Sequence, residues 1–265
     1  MLRPVWVHCK VFRNIAEGSS KLLRSSMSTA SALPTNVHKA QETASTSQVL
    51  PALPEYVHEA VDALKKGLVI AVPTDTIYGF AGDACCEEAI QKIYSIKGRS
   101  SMNPLAVCLA HTHDFKKYSV TEHLPEGLLE ELLPGPVTVV LMRGEHSLLD
   151  ECLNPGLCSI GIRIPDSSFI LQVAEAFGGA IALTSANVSG QSSSIRIDEF
   201  RMLWPHCAAV FDAGELPSSR DGSTVVDLTV PGIYKILRTG SALDSTVAVL
   251  ENHGLKTAST TVQAS

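Results

Sequence analysis

The sequence contains no apolar run that approaches the roughly 20 residues required for a helix to cross a bilayer. Its longest mainly apolar runs, at residues 68–72 and 137–142, have the length of a core strand. Aromatic residues make up only 5% of the chain and are not clustered. Hydrophobic residues nevertheless make up 45% of the 265 residues, which is enough for one large globular domain or two small ones with a well-filled core.

Familiar catalytic and cofactor-binding motifs are also missing. The sequence has no GxSxG nucleophile elbow, no GxxxxGK[ST] phosphate loop and no GxGxxG fingerprint. Its seven cysteines include no CxxC pair, which argues against a zinc site or a disulfide framework and favours buried thiols in a reducing compartment. His111, His113 and Asp114 offer three metal-ligating groups in one loop, but without a distant fourth ligand this pattern is more typical of the surface.

Positive charge is concentrated near the N-terminus. Residues 1–50 carry six Lys/Arg against two Asp/Glu, whereas the remainder carries 15 Lys/Arg against 25 Asp/Glu. The strong excess of acidic residues in this remainder argues against non-specific binding of polyanions. The basic, serine-rich and acid-poor start is typical of a mitochondrial transit peptide, and Met27 offers an internal start that would remove it. We therefore expect a mitochondrial and a cytoplasmic form.

Composition divides the chain into three segments. Residues 1–54 are predicted to be a transit peptide and a disordered linker, because residues 25–54 are rich in Ser, Thr, Ala and Pro and show no sustained periodicity. Residues 55–251 are predicted to form the folded domain. Residues 252–265 are predicted to be a flexible tail.

Helical and strand patterns alternate within the predicted domain. Apolar residues recur at helical spacing over residues 57–64, 87–96 and 168–177, and buried-strand patterns lie between them. Three late strands follow one another without intervening helices. This order predicts a single-domain α/β fold, with a mixed parallel and antiparallel sheet and helices on both faces.

Polar residues cluster where the predicted strands end, and in open α/β sheets ligands bind in the crevice beyond the strand ends. The five stretches are PTDTIYG (73–79), KGRSSMN (97–103), GIRIP (161–165), TSANVSG (184–190) and LRTG (237–240). If they converge, they gather four cations, several hydroxyls and two amides, which suits one polyphosphate and a small carboxylate. The residues concerned are Thr74, Thr76, Lys97, Arg99, Asn103, Arg163, Ser185, Asn187, Ser223 and Arg238.

Each stretch also has a plainer interpretation. A Lys-x-Arg pair after a helix is most often solvated surface or compensates the helix dipole, and Ser-Ala-Asn is commonly a turn or an N-cap. Asp75, between two threonines, fits an Asx turn. Arg163 is harder to explain in this way, because its apolar neighbours predict a buried strand, where a charge needs a partner or a ligand.

Seven motifs together resemble the YrdC family, in its order and at roughly its spacing, over about residues 55–250. They are PTDTIYGF, KGRSSMNPL, PGPVTVVL, GIRIP, TSANVSG, STVVDLT and LRTG. The K-x-R…S-x-N signature of that family is matched by Lys97, Arg99, Ser185 and Asn187. The resemblance implies a twisted mixed α/β sheet around a deep, positively lined cavity. It also implies threonylcarbamoyl-AMP synthase activity, in which L-threonine, bicarbonate and ATP give L-threonylcarbamoyladenylate and pyrophosphate.

The resemblance further implies roles for individual residues. Lys97 and Arg99 would be catalytic, with Lys97 near the bicarbonate and phosphates, and Mg²⁺ is expected to accompany ATP. The product would pass transiently to a separate tRNA threonylcarbamoyl transferase complex that modifies adenosine 37 of tRNAs reading ANN codons, without stable binding of nucleic acid by this chain. Threonine would contact Thr76, Arg163, Ser185 and Ser223, and ATP would contact Arg99, Asn103, Ser159, Asn187, Ile195 and Arg238.

Two features depart from the family pattern. Cys108 stands where many relatives have a histidine, which places a polar contact to threonine at that position in doubt. The chain also lacks the extra C-terminal domain of the longer family branch, so another element is expected to exclude water from the site. Two alternatives remain: a non-catalytic RNA-binding module of the same fold, and a carbamoyl-transfer domain like those of hydrogenase-maturation proteins.

Overall fold

The computed structural model describes residues 48–98, 104–217 and 219–258. Within these ranges the chain forms one sheet of eleven strands and five α-helices. The strands are β1 (Gln48–Pro51), β2 (Ile70–Val72), β3 (Gly79–Asp83), β4 (Ala106–Cys108), β5 (Val137–Met142), β6 (Ser159–Arg163), β7 (Ile181–Ser185), β8 (Ala209–Asp212), β9 (Thr224–Asp227), β10 (Ile233–Arg238) and β11 (Lys256–Thr257). The helices are α1 (Val57–Lys65), α2 (Glu87–Ile96), α3 (Leu128–Leu132), α4 (Ser168–Phe177) and α5 (Leu243–Asn252).

The sheet is mixed, as the sequence predicted. Its strand order is β1-β8-β2-β3-β7-β4-β6-β5-β9-β10-β11. Five neighbouring pairs are parallel, for example β4 with β6 and β5 with β9, and five are antiparallel, for example β3 with β7 and β5 with β6. This order places β6 and β7 near β9 and β10, and three of these strands, β6, β7 and β10, carry predicted polar stretches or lead into them.

Each face of the sheet carries its own hydrophobic core. Successive side chains of a strand point to opposite faces. In β7, Ile181 and Leu183 accordingly belong to the core formed with α1 and α4, whereas Ala182 belongs to the core formed with α2 and α3. The predicted coverage of both faces by helices is therefore confirmed.

The helices follow the predicted periodicity. In α1 the buried residues include Ala60, Val61 and Leu64, which lie on one face. Gly67, at φ +68°, ends this helix in a Schellman motif: its N–H donates to the carbonyl of Leu64 and the N–H of Leu68 donates to that of Ala63. Helices α2 and α4 have the predicted bounds, so local sequence is sufficient to place them.

The domain boundaries differ from the predicted ones at both ends. Strand β1 lies inside the predicted linker and pairs in parallel with β8, and Leu50 is buried against α1 and α4. Strand β11 lies inside the predicted tail and pairs with β10, and the preceding Leu255 is buried. Both are short edge strands held by pairing to distant segments, which local composition does not reveal. The predicted transit peptide lies outside the described residues.

Two further elements were not predicted. Strand β3 contains two glycines in five residues, which weakens its strand pattern. Helix α5 follows the last predicted strand and packs against α3. None of the helices in the described part of the chain combines the length and apolar character that a membrane span requires.

Candidate active site

A cavity of about 330 Å³ lies where the loop after β2 meets the ends of β6, β7 and β10 and the start of β9. The cavity therefore gathers the PTDTIYG, GIRIP, TSANVSG and LRTG stretches, as predicted from the strand-end rule. The polar residues in its lining are Thr74, Thr138, Arg163, Thr184, Ser185, Ser223 and Arg238.

The loop between β2 and β3 is organised by the hydroxyl of Thr74. The backbone N–H groups of Thr76 and Ile77 both donate to Thr74 Oγ1 at 3.2 Å, and Thr74 Oγ1 donates to the carbonyl of Ile77 at 2.7 Å. The loop is closed at its far end by Tyr78, whose hydroxyl donates to the carbonyl of Gly214 at 2.8 Å. Burial raises the pKa of Tyr78 to about 12, so this phenol stays neutral and acts as an anchor.

Arg163 ends β6 and is 6% exposed. Its Nη2 lies 2.5 Å from Asp75 Oδ1 and 3.5 Å from Thr76 Oγ1, and its buried Nε makes no hydrogen bond within the described residues. The charge of this arginine is thus balanced by one carboxylate, while part of its donor capacity stays available. A buried donor without a partner is costly unless a ligand supplies the acceptor.

Arg238 ends β10 on another side of the same cavity. Its Nε and Nη2 donate to the carbonyl of Ser223 at 3.2 and 2.8 Å, and Nη2 also donates to Ser223 Oγ at 3.0 Å. Within the described residues it forms no ion pair. Although Arg238 as a whole is exposed, desolvation of its guanidinium, and then the nearby charge of Arg163, lower its pKa, and an arginine remains charged at neutral pH. An unbalanced, partly desolvated cation of this kind is suited to an anionic ligand.

The position of Arg238 depends on close backbone packing. A Cβ at Gly240 would lie 2.3 Å from the backbone carbon of Ser223, so only glycine fits there. Thr138 supports the same region, because its Oγ1 lies 2.7 Å from Ser223 Oγ. Thr138 was not predicted as a site residue. Its signal in the sequence was that it is the one polar residue in the strand VTVVLM.

Lys97 is fully buried just after the end of α2. Its Nζ donates to the carbonyl of Ser185 at 2.6 Å, to Ser185 Oγ at 3.1 Å and to Asn187 Oδ1 at 2.9 Å. Ser185 lines the cavity, whereas Lys97 and Asn187 are not among the lining residues of the described chain. The interpretation of this lysine as solvated surface is therefore wrong, and three of the four signature positions lie in one hydrogen-bonded group.

The remaining predicted site residues either lie outside the described residues or do not line the cavity. Arg99 and Asn103 lie outside the described residues. Ser159 is buried at the opposite end of β6 from Arg163, about 13 Å away along an extended strand, and does not line the cavity. Ile195 is nearly buried and also lies outside the lining, with its N–H donating to Glu199 Oε2 at 2.8 Å.

Cys108 lies in the core on the face of α1 and α4 and is fully buried. Burial raises its pKa to about 12, so the thiol is neutral and not activated. His111 and His113 stack on each other with ring centroids 5.0 Å apart. Among the described residues no group of three or more His, Cys, Asp or Glu is arranged to hold a metal ion.

The fold agrees with comparisons to known proteins. A family model named Sua5_yciO_yrdC, described as telomere recombination, matches residues 62–240. The chain belongs to this Sua5/YciO/YrdC family. It is similar to the threonylcarbamoyl-AMP synthase of Bos taurus, with 50% identity over 206 residues, which is 76% of this chain and 74% of the relative. The Homo sapiens threonylcarbamoyl-AMP synthase is 49% identical over 202 residues, covering 74% of this chain and 71% of the relative.

Among solved structures, the chain resembles P. abyssi Sua5 complexed with L-threonine. The TM-score is 0.68 and the identity is 26%, and the match covers 80% of this chain and 63% of that chain. The likeness supports a shared fold. About two fifths of the P. abyssi chain has no counterpart in the match.

Proposed function

We propose that the protein is an L-threonylcarbamoyladenylate synthase, a nucleotidyltransferase that converts L-threonine, bicarbonate and ATP into L-threonylcarbamoyladenylate and pyrophosphate. One observation carries the proposal: Arg163 and Arg238 approach a single cavity from different strands, and only Arg163 has a carboxylate partner in the described chain. Such a cavity suits two anionic groups held side by side. Its relatives at about half identity are enzymes with this name.

The chemistry requires no covalent enzyme nucleophile. The threonine amine attacks bicarbonate, and loss of water gives an N-carboxylate. One oxygen of that carboxylate then attacks the α-phosphorus of ATP, and the bond to pyrophosphate breaks. Because both reactants are anionic, the enzyme acts mainly by neutralising charge and by orienting them.

The proposed roles follow the geometry where it is described. Arg163, with its unpartnered Nε, binds the threonine carboxylate. The hydroxyl of Thr76, 3.5 Å from Arg163 Nη2, and those of Ser185 and Ser223 in the cavity lining are proposed as further threonine contacts. Arg238 binds the ATP phosphates, for which a bidentate cation is well suited. Arg99, Asn103 and Asn187 are proposed to complete the ATP site, and Ser159 and Ile195 are proposed as weaker ATP contacts.

Lys97 has two roles in this proposal, one before and one after the substrates bind. In the present arrangement it holds Ser185 and Asn187 together. A change in the side chain of Asn187 on binding of ATP would turn the ammonium toward the bicarbonate and phosphates. Lys97 therefore orders the site before the substrates arrive and supplies charge afterwards.

Mg²⁺ is proposed to enter with ATP. The described residues provide no acidic cluster for a resident ion, so its ligands would be phosphate oxygens and water, a common arrangement for this ion. When bound there, Mg²⁺ neutralises charge on the triphosphate. The product is proposed to pass to a tRNA threonylcarbamoyl transferase complex that modifies adenosine 37, and the protein is proposed to act in the mitochondrion and the cytoplasm.

The test is release of pyrophosphate from ATP by the purified full-length protein. We expect release only when L-threonine and bicarbonate are both present, and we expect ¹⁴C from bicarbonate in the adenylate product. Arg163→Lys and Arg238→Lys should each reduce the rate at least tenfold. Arg201→Lys is the matched control, because Arg201 stacks on Trp204 outside the cavity and should leave the rate unchanged. Tight binding of duplex RNA without any pyrophosphate release would contradict the proposal and favour an RNA-binding module.

A further inference from the structure

Asp75 connects three segments around the threonine side of the cavity. Its Oδ1 accepts a hydrogen bond from Arg163 Nη2 at 2.5 Å, and its Oδ2 accepts one from the backbone N–H of Asp166 at 3.0 Å. Both side chains of the ion pair are 7% exposed. Asp75 itself is not among the residues that line the cavity in the described chain, so its contact with the ligand space is through Arg163.

The loop that carries Asp75 does not depend on its carboxylate for its shape. The turn is closed by the Thr74 hydroxyl, which bonds to the backbone of Thr76 and Ile77, and by Tyr78 at its end. The plainer interpretation of Asp75 as an Asx turn is therefore wrong, because the carboxylate bonds to a strand and a loop about 90 residues away. A carboxylate that is not needed locally can be changed with little effect on the loop.

The electrostatic need for Asp75 arises from its neighbours. A nearly buried guanidinium without a counter-charge is strongly unfavourable, and Arg238 adds a second positive charge to the same cavity. Within the described residues Asp75 is the one carboxylate that pairs with either arginine. Without it, Arg163 would be repelled by Arg238 and free to turn toward other acceptors.

We propose that Asp75 is a positioning residue for the amino-acid substrate: it holds the Arg163 guanidinium in the cavity wall, with Nη2 engaged and Nε left for the substrate carboxylate. This inference rests on the proposed function, because it takes the carboxylate to be that of L-threonine. The rival explanation is that Asp75 only ties the loop after β2 to the residues before α4 through Asp166. The two explanations differ in which kinetic constant changes.

The primary experiment compares Asp75→Asn with the wild-type protein. The amide keeps the size of the side chain and loses its charge. We expect the KM for L-threonine to rise at least tenfold, while kcat at saturating threonine and the KM for ATP change less than threefold. If Asp75 only connected the two segments structurally, the KM values for L-threonine and ATP would rise together. That outcome, or an unchanged KM for threonine, would overturn the proposal.

A double-mutant cycle tests whether Asp75 acts through Arg163. In the Arg163→Lys background, Asp75→Asn should change the dissociation constant for L-threonine less than threefold, because the group that it orients is already lost. Effects that multiply fully would show that Asp75 acts independently, and the proposal would fail. Asp83→Asn is the matched control, because Asp83 Oδ1 accepts from the backbone N–H of Cys85 at 2.8 Å outside the cavity, and it should bind threonine normally.

Two measures keep the test decisive. If Asp75→Asn does not fold, Asp75→Glu retains the charge but displaces it by one methylene, and we expect a folded protein with the same loss of threonine affinity. Wild-type affinity in that variant would contradict the proposal. L-Threonine binding measured by calorimetry requires no turnover, so an inactive wild-type protein that still binds threonine would reject the proposed reaction while Asp75 remained testable.

Discussion

The ammonium of Lys97 lies 2.9 Å from Oδ1 of Asn187, 90 residues further along the chain. The same oxygen accepts a hydrogen bond from Ser185 Oγ at 2.5 Å, and the Asn187 amide donates to the carbonyl of Gln191 at 2.6 Å. Lys97 and Asn187 therefore join the end of α2 to the loop that follows β7. Lys97 and the Ser-Ala-Asn loop thus form one hydrogen-bonded group.

Replacing Lys97 by methionine should affect both stability and activity. The variant keeps the buried volume but loses the three hydrogen bonds of the Lys97 ammonium to the Ser185 carbonyl, Ser185 Oγ and Asn187 Oδ1. The carbonyl still accepts from the Asn187 N–H and Oδ1 still accepts from Ser185 Oγ, so we expect a loss of about 1–3 kcal/mol in the free energy of unfolding. We expect pyrophosphate release to fall at least 100-fold, measured beside thermal unfolding. Lys92→Met, on the exposed face of the same helix, should change neither, and full activity in Lys97→Met would contradict the assigned role.

Gly240→Ala should damage the ATP side of the cavity selectively. The added Cβ would lie 2.3 Å from the backbone of Ser223 and Thr224, which cannot yield as a flexible side chain can. The end of β10 must then move, and Arg238 moves with it. We expect the KM for ATP to rise at least tenfold and the free energy of unfolding to fall by about 1–3 kcal/mol.

Gly144→Ala is the control for this substitution, because the nearest atom to its added Cβ is 4.0 Å away. Calorimetric binding of ATP to both variants separates a displaced Arg238 from a general loss of structure. Unchanged ATP affinity in Gly240→Ala would show that the close contact does not position the arginine.

The ion pair between Arg220 and Glu199 should make stability depend on acidic pH. Arg220 donates to both carboxylate oxygens of Glu199, at 2.9 and 2.6 Å, and this partner lowers the pKa of Glu199 to about 2. A depressed carboxyl pKa contributes stability that is complete above the ordinary value near 4.5 and is lost as pH falls toward 2. Glu199→Gln should therefore have a lower Tm than wild type at pH 7, and the difference should shrink between pH 4.5 and 2.

The matched control for this pair is Glu215→Gln. Glu215 is exposed and lies 3.8 Å from Arg196, so its loss should leave the Tm nearly unchanged. The Glu199→Gln and Arg220→Gln effects should not add in the double variant, because either substitution removes the same contact. A difference in Tm that stays constant down to pH 2 would argue against this linkage.

Truncation should separate targeting from folding. A chain that starts at Gln48 should keep threonine-dependent pyrophosphate release and lose import into isolated mitochondria. A chain that starts at Glu55 also lacks β1, which leaves the backbone groups of β8 unpaired at the sheet edge, and its Tm should be lower. Retained import in both chains would contradict the predicted transit peptide.

Periodicity predicted the helices well and the edge strands poorly. Helices α2 and α4 bury a continuous apolar face, so local spacing determines them. Strand β1 buries mainly Leu50, and it forms because its backbone pairs with the edge of β8. The same limit applies to β11, where two residues pair with β10.

The candidate site was predicted as a set of loops but not as a set of contacts. The strand-end rule and the family motifs indicated Arg163, Ser185, Ser223 and Arg238, and all four line the cavity. Thr138 was missed, because it supports the site through a hydrogen bond to Ser223, which lies 85 positions away in the sequence.

The sequence by itself determined the α/β class, the helices α2 and α4 and the chemical character of the site, because these depend on local periodicity and on residue types at fixed spacing. Only the tertiary structure decided which partner each cation has. Arg163 is balanced by Asp75, Lys97 is enclosed by Ser185 and Asn187, and Arg238 is left without a carboxylate in the described chain. These pairings depend on strand order, and strand order is set by packing between segments that lie tens of residues apart.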